Sequence, residues 1–467
     1  MNRKAVSWIM FTLLLTGIFT SAANIQLVFA HLPVHNINTD EYFETIQDAI
    51  NAPNTTNGHT IHVDAGVYNE DLIVNKGVCL EGENRSTTII NGTGKGDVIN
   101  VTASNVRISG FTINNSKEAK SCIFTQSQNL TVENCRIINR YIGIYVYESV
   151  GLNVTNSMIV GGSKSKSCIA AQRSSRISIT YNELTNVLDG HGIDLNGSNT
   201  VTVAYNDITH NLDGVFLCSS DGDYFNISIE NNYIADNEGE DAAGIKIQTG
   251  MFTAYSATIE GNTITNNTHA IYHSRDPEAQ YPVCFSHKFY HNNFINNTYN
   301  NITFSEIMVA HIWNGSYLFG GNYWSNYAGN DVKSGPYQNE TGSDGIGDAA
   351  YLMGQDNADG YPFMDSVYVG PVNLVVRTMY LWELYNVSVW IDNSDSLPSP
   401  VNVTVERGLH EVTVQSSFDV PIDEWSWYRY HFDHWEDNSK ANPRQKWICI
   451  NKTFTAYYRR IEMGVGK

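Results

Sequence analysis

The feature that most constrains this chain is a phrase that recurs between Arg176 and Asn297. Each copy is a short β-type run, then Asn, any residue, an aliphatic or aromatic residue, and a polar ending. The copies centre on Asn182, Asn206, Asn232, Asn262 and Asn292, stepping by 24, 26, 30 and 30 residues. A fixed period of this length means stacked supersecondary units. Between the copies runs a second phrase, usually opened by Gly, at 143–147, 168–172, 192–196, 214–218, 244–248 and 270–274. Each alternates apolar and other residues with period two, the pattern of a strand with one buried face. Nothing between them carries a helical stripe long enough for a crossover. Short strands repeated without helices predict a parallel β-helix, each turn pairing with the next at about 4.8 Å.

With 467 residues the chain has room for one solenoid and a further domain. A net charge of −20 argues against a general nucleic-acid or anionic-membrane surface. The opening Met1-Asn-Arg3-Lys4, an apolar run from Val6 to Phe19 and small residues at 21–23 and 28–30 predict a secretory signal over residues 1–30. The alternative is a retained N-terminal anchor; no second apolar run of spanning length follows. Either way the expected location is secreted, cell-surface or periplasm-like. The seven cysteines do not read as a disulfide framework. Cys122 and Cys168 fall on equivalent strands two turns apart, about 9–10 Å, beyond the reach of a disulfide. They read as small core residues.

Upstream, residues 43–50 place apolar side chains at i, i+3, i+6 and i+7, an amphipathic helix suited to capping a solenoid. The phrases Thr45-Ile-Gln-Asp-Ala-Ile-Asn51, Ala65-Gly-Val-Tyr-Asn-Glu70, Leu80-Glu-Gly-Glu-Asn84 and Val106-Arg-Ile-Ser-Gly-Phe-Thr-Ile113 resemble the first turns of the pectin-lyase-like right-handed β-helix superfamily. The closing strings Gly320-Gly-Asn-Tyr-Trp-Ser-Asn-Tyr327, Gly335 to Asp348 and Asp359-Gly-Tyr-Pro-Phe-Met364 resemble the signature of NosD-like members, within the carbohydrate-binding and sugar-hydrolase (CASH) group. The resemblance spans Thr45 to Met364. It implies a right-handed coil and a sugar-related role; fold alone does not fix activity.

The expected organisation is therefore all-β: a right-handed parallel β-helix over 40–368 with a helical N-terminal cap, then a small antiparallel β-sandwich over 371–467. In that second part, alternating runs such as 385–391, 401–405, 410–414 and 428–435 are separated by turn signals. Trp427 and Trp435 read as its core, with sugar binding by exposed rings as the alternative.

Outward residues of equivalent strands stack into columns. With Ile193, Val215, Ile245 and Ile271 inward, one column is Tyr145, Ala170, Asp194, Phe216, Lys246 and Tyr272; beside it run Asn196, Cys218 and Gln248. The turns add Asp189, His191, Asp213 and Arg275. Rings stack on sugar faces, amides bond hydroxyls, and carboxylate, imidazole and ammonium groups move protons. Asp194, Asp213, Lys246, His191 and Asp189 are the candidate catalytic residues. Tyr145, Asn196, Phe216, Gln248, Tyr272 and Arg275 are the candidate sugar contacts. The string Gly190-His-Gly-Ile-Asp194 with Gly244-Ile-Lys-Ile-Gln248 resembles polygalacturonase-type hydrolases, but Gly214 stands where those enzymes carry a second adjacent Asp. The plain alternative is that these polar residues make turns and ladders.

Asp344, Asp348, Asp356 and Asp359 sit among glycines and are the candidate Ca²⁺ ligands, without EF-hand spacing; a Gly-Asp turn network is the competing account. His269, His273, Cys284, His287 and His291 are close in sequence and have the donor chemistry for copper or zinc, although the strand phase turns His273 inward. Sequons at Asn91, Asn129, Asn226, Asn301 and Asn386 permit glycosylation. Three functions stay open: polysaccharide binding with or without cleavage, a structural or adhesive scaffold, and a copper-handling accessory. The partner expected is a glycan.

Overall fold

The asparagine period becomes a coil of strands. The computed structural model describes residues 32–465 apart from short breaks, among them 251–252, 278–282, 306–308, 368–371 and 437–439. The predicted signal segment lies outside the described residues. Three long sheets each take about every third strand in sequence, so one turn of chain adds one strand to each. The register is unshifted for several turns. Ile177, Val201, Ile227 and Ala257 align in the first sheet. Ile169, Ile193, Val215, Ile245 and Ile271 align in the third. All of these are buried in one continuous apolar core.

The recurring Asn is also buried, and the coil forms because its amide replaces missing peptide partners at a corner. Asn206 Nδ2 donates to Asn232 Oδ1 at 3.0 Å, and Asn232 Nδ2 to Asn262 Oδ1 at 2.9 Å. Each Oδ1 also accepts the backbone N–H of the Asn one turn earlier. Two donors and an oxygen that takes two bonds are what a buried corner needs to leave no polar group unpaired. The residue before each Asn turns left-handed, at φ 57° for Tyr181 and Tyr205, 55° for Asn231 and 67° for Gly261. The run ends where Asn322 donates to the buried carboxylate of Asp359 at 2.7 Å. A second asparagine ladder, Asn211, Asn237, Asn267 and Asn297, lines another corner. Serines 149, 174 and 198 line the third. The Gly that opens the third-sheet phrase has a steric cause: a Cβ on Gly214 would lie 2.5 Å from Gly244 O.

At the N-terminal end, helix α1 (Ile46–Asn51) covers the core with Ile46, Ala49 and Ile50. It starts later than the apolar pattern predicts, because Phe43 belongs to the strand Glu41–Phe43 and Thr45 caps the helix by accepting from Asp48 N. Glu70 receives Ile46 N and Gln47 N, both at 3.0 Å, which satisfies two orphan donors of the first turn. Gln47 then pairs its amide with both backbone groups of Ile73 on the edge of the third sheet, standing in for a missing strand.

Beyond residue 371 lie a six-stranded and a four-stranded sheet. The expected antiparallel pairing holds except in one place: Val372–Tyr380 runs parallel to Lys452–Val465. Trp435 is fully buried in the apolar cluster with Leu374, Val389, Val412 and Phe454. Trp427 is half-buried and outside that cluster. Cys79, Cys122, Cys135, Cys168 and Cys218 are free thiols, all but Cys79 buried.

Candidate functional site

The outer face of the third sheet carries the charged residues that the inner face excludes. Asp194, Phe216, Lys246 and Tyr272 occupy successive rungs of one column. His191 and Asp213 are not turn residues. They open the strands His191–Asn196 and Asp213–Cys218, side by side in the column next to it. Asp213 is fully buried. Its Oδ1 accepts Ala243 N at 2.9 Å; its Oδ2 lies 3.0 Å from His191 Nδ1 and 3.5 Å from Lys246 Nζ. Neither contact has the in-line geometry of a hydrogen bond, and Oδ2 and Nδ1 make no other one. A buried carboxylate is expensive unless paired, so this one anchors an imidazole and an ammonium at fixed positions. The His191 ring is further held by stacking on Phe216, centroids 4.3 Å apart.

A cavity of about 550 Å³ opens in front of these groups. Its walls include Asp189, His191, Asp194, Asp213, Lys246 and Tyr145, together with Tyr141, Lys166, Ala170, Gln172 and Leu212. All five candidate catalytic residues thus meet in one cavity. Asp189 is engaged by Lys166, whose Nζ lies 2.5 Å from its carboxylate. The candidate sugar contacts divide. Tyr145 lines the cavity, its hydroxyl donating to Gln172 at 2.7 Å. Phe216 presents a face already covered by His191, so it orients the imidazole instead of forming a floor for sugar. Tyr272 is 9 % exposed, under Lys246 and beside His269. Asn196, Gln248 and Arg275 do not line the cavity; Gln248 lies beside Cys218, and Arg275 ends its strand instead of leading out of it. Lys166 immediately precedes the strand Ser167–Gln172, and nothing in the repeat marks it.

The acidic closing signature does not converge. Asp344 accepts from Tyr317 OH, Gln338 Nε2 and Ile346 N. Asp348 accepts from Val332 N and Lys333 N. Asp356 is a left-handed turn residue. Asp359 ends the asparagine ladder and also takes Trp324 Nε1 and Tyr361 N. Burial pushes its pKa up to about 6 against the pull of those donors. Among the described residues no group of three or more His, Cys, Asp or Glu is placed to hold a metal ion.

The histidines sort differently from their order in sequence. His273 and His287 meet His311, with ring centroids 5.1–6.1 Å apart in the interior. His269 stacks on Tyr299, His291 lies 3.4 Å from Glu260, and the side chain of Cys284 is outside the described residues. The buried trio has a defined proton order. His311 Nδ1 accepts His287 N, so its Nε2–H donates to His273 Nδ1 at 3.2 Å, and His273 Nε2–H donates to Thr249 Oγ1. His287 Nδ1 accepts Ala257 N, so its Nε2–H donates to Tyr224 OH. Burial lowers their pKa values to about 3 for His273, 4 for His287 and 2 for His311.

Two family models match the solenoid. One, described as periplasmic copper-binding protein (NosD), matches residues 52–239; the other, right handed beta helix region, matches residues 167–346. Among the described residues of the NosD-like part, no group of three or more His, Cys, Asp or Glu is placed to hold a copper ion. There the thiols of Cys122, Cys135 and Cys168 bond separate backbone carbonyls, and Cys79 takes Arg107. A cell surface glycoprotein of Methanothermus fervidus is 29% identical over 353 residues, 63% of this chain and 53% of the relative. The chain thus spans about half the length of that curated relative. Among solved structures, the mannuronan C-5 epimerase AlgE6 A-module of Azotobacter vinelandii is similar at 15% identity, covering 60% of this chain and 87% of its own, with a TM-score of 0.36. The periplasmic alginate epimerase AlgG is similar at 14% identity, covering 58% and 82%, with a TM-score of 0.37.

Proposed function

We propose that this chain, whose solenoid matches the right handed beta helix region, is a member of the pectin-lyase-like superfamily, that the outer face of its third sheet is a polysaccharide site and that His191 is its acid–base group. The chain is then an exported, cell-surface protein, a location supported by the name of its relative. The observation that carries the site is the buried Asp213, which holds His191 and Lys246 at the wall of a sugar-sized cavity. A base held by a carboxylate and a fixed cation nearby are the parts needed to take a proton from a sugar and stabilise the charge that develops. This favours imidazole chemistry over hydrolysis by two carboxylates, since Asp213 is committed to the His191 imidazole and the Lys246 ammonium, and Asp189 to Lys166. Lys246 serves as the counter-charge, Asp194 as a hydroxyl acceptor and Tyr145 as a ring wall.

The test is a screen of neutral and acidic polysaccharides for binding and for products. His191→Ala should abolish turnover with binding largely kept, and Phe216→Ala should lower kcat more than it raises KM, because it frees the imidazole to rotate. Lys246→Ala should weaken binding and turnover together. A wild-type protein that binds no polysaccharide would move the function to a scaffold. Binding without product in the wild type would leave a lectin-like role for the same cavity.

A further inference from the structure

The charged cavity is continued by a group of aromatic rings on the rungs that precede it. Phe124, Tyr145 and Tyr147 stand on the outer face of the third sheet, on the two rungs preceding Ala170. The rings of Phe124 and Tyr145 are 5.5 Å apart and tilted by 45°; those of Tyr145 and Tyr147 are 6.3 Å apart and tilted by 49°. All three are half-buried, and the two tyrosine hydroxyls are already engaged: Tyr145 OH donates to Gln172, and Tyr147 OH accepts from Arg173 Nη1 at 3.1 Å. Tyr145 belongs to both features, as a wall of the cavity and the centre of the ring group. One rung further, Asn100 continues the column with an amide. On the other side of the charges the column reaches Tyr272, which is covered, and the column beside it reaches Tyr299, which is exposed and stacked on His269.

We infer that Phe124, Tyr145 and Tyr147 form the outlying subsites of the groove, so that a bound polymer runs from the cavity toward the N-terminal end of the coil with its sugar rings on these faces. This rests on the polysaccharide reading of the cavity. The occupant is further residues of the same polymer. Three observations favour it: the ring group is continuous with the cavity, the rung spacing of about 4.8 Å is close to the length of one pyranose residue, and each ring is flanked by amide or guanidinium groups suited to hydroxyls. Aromatic faces that are tilted and edged with polar groups match the alternating C–H and O–H surface of a sugar better than a flat apolar partner.

The experiment uses the whole chain with two probe series, oligogalacturonates and cello-oligosaccharides, each from disaccharide to hexasaccharide, read by calorimetry. Wild type should bind one series, with affinity that rises with length. Phe124→Ala and Tyr147→Ala should each remove about tenfold of the hexasaccharide affinity, as expected for one lost stacking face, and leave the disaccharide unchanged. Lys246→Ala should weaken every length. Circular dichroism and melting of the two ring variants should match wild type, since both side chains lie on the outer face. Equal effects of Phe124→Ala on short and long probes, or none on either, would overturn the ring subsites while sparing the cavity. A tight copy-to-copy complex that Phe124→Ala dissolves would assign the rings to self-association and overturn the inference. No binding of any probe by wild type would overturn both the cavity reading and this one.

Discussion

Acid should loosen the C-terminal turns of the coil through three neutral histidines. His273, His287 and His311 are buried, and they bond to hydroxyls, to backbone N–H groups and to one another. Burial holds their folded pKa values at about 3, 4 and 2. In the unfolded chain each protonates near its ordinary value of about 6.5. The sign follows from that difference: below about pH 6.5 the unfolded chain takes up protons that the native chain refuses, so stability falls as pH falls. At about 1.4 kcal/mol per pH unit, each histidine costs about 2 kcal/mol by pH 5, and the trio about 6. The result needs only that all three native values lie below 5. Asp359 acts in the opposite direction, because its raised value of about 6 lets the native chain gain a proton first; that returns about 1 kcal/mol by pH 5. The net loss of about 5 kcal/mol is large beside a typical domain stability of about 5–15 kcal/mol. The diagnostic variant is His311→Asn, because the next acceptor in that corner is already an Asn: His311 N donates to Asn357 Oδ1. An Asn oxygen can take over His287 N, while His273 Nδ1 loses its donor, so the variant should be weaker near neutrality by about 1–3 kcal/mol. Its further loss on going to pH 5 should nonetheless be smaller than wild type's by about 2 kcal/mol, one proton's worth. Urea titrations of both proteins at the two pH values measure this. Equal acid losses in the two proteins, or a wild type indifferent to pH, would refute the reasoning.

Asn232→Ala should cost about 2–4 kcal/mol in chemical denaturation, since it leaves Asn206 N without its acceptor and takes the Nδ2 donor from Val203 O inside the coil, while Asn206 Nδ2 keeps Ile179 O and Ala204 O; a loss below about 1 kcal/mol would mean that water enters the corner. Asp348→Ala should lower stability by about 1–2 kcal/mol by releasing Val332 N and Lys333 N, and melting with EDTA or millimolar Ca²⁺ should leave wild type unchanged, because a ligand of the native state alone would raise it. Gln47→Ala should weaken the N-terminal edge by about 1 kcal/mol through the loss of both Ile73 bonds, read as faster amide exchange at residues 72–74 than elsewhere. Asp213→Asn should change melting little and remove turnover; a large loss of stability with turnover intact would give Asp213 a structural role only.

The fold was legible because one requirement repeats at every turn. A buried corner needs a side chain with two donors and an acceptor, and Asn182 to Asn292 supply it at steps the eye can subtract. The cap was legible in kind but displaced, since Thr45 and Glu70 decide where the helix starts and apolar spacing reports only the face it buries. The parallel pair in the C-terminal sheets was not legible: Val372–Tyr380 and Lys452–Val465 are far apart in sequence, and alternation says nothing about direction. His311 could have been found. It follows His287 by 24 residues, a step the asparagines themselves take, and it fills the equivalent corner one turn later.

The site was legible as a column and illegible as a set of contacts, and the reason separates the two possible roles of its charges. Period two assigns a residue to a face; it does not say how far a side chain leans. Phe216 was placed correctly between Asp194 and Lys246, yet its ring is taken by His191 from the adjacent column. The same columns show what the coil itself requires. The position of Asp213 is filled by Ser121, Ile142, Ser167, His191, Ala243, His269 and Tyr299 on other rungs, and the backbone donor it accepts, Ala243 N, is a single bond. A solenoid indifferent to Ile, Ser or Ala at that point has no structural need for a fully buried carboxylate, whose desolvation costs several kcal/mol before its partners offset it. The asparagine ladders are the contrasting case: equivalent positions carry the same residue because the corner demands it. A buried carboxylate where the coil elsewhere accepts Ser, Ile, Ala, His or Tyr, bonded to one backbone N–H and otherwise faced by an imidazole and an ammonium that both border a cavity, is the arrangement expected of a residue kept for what it holds in place.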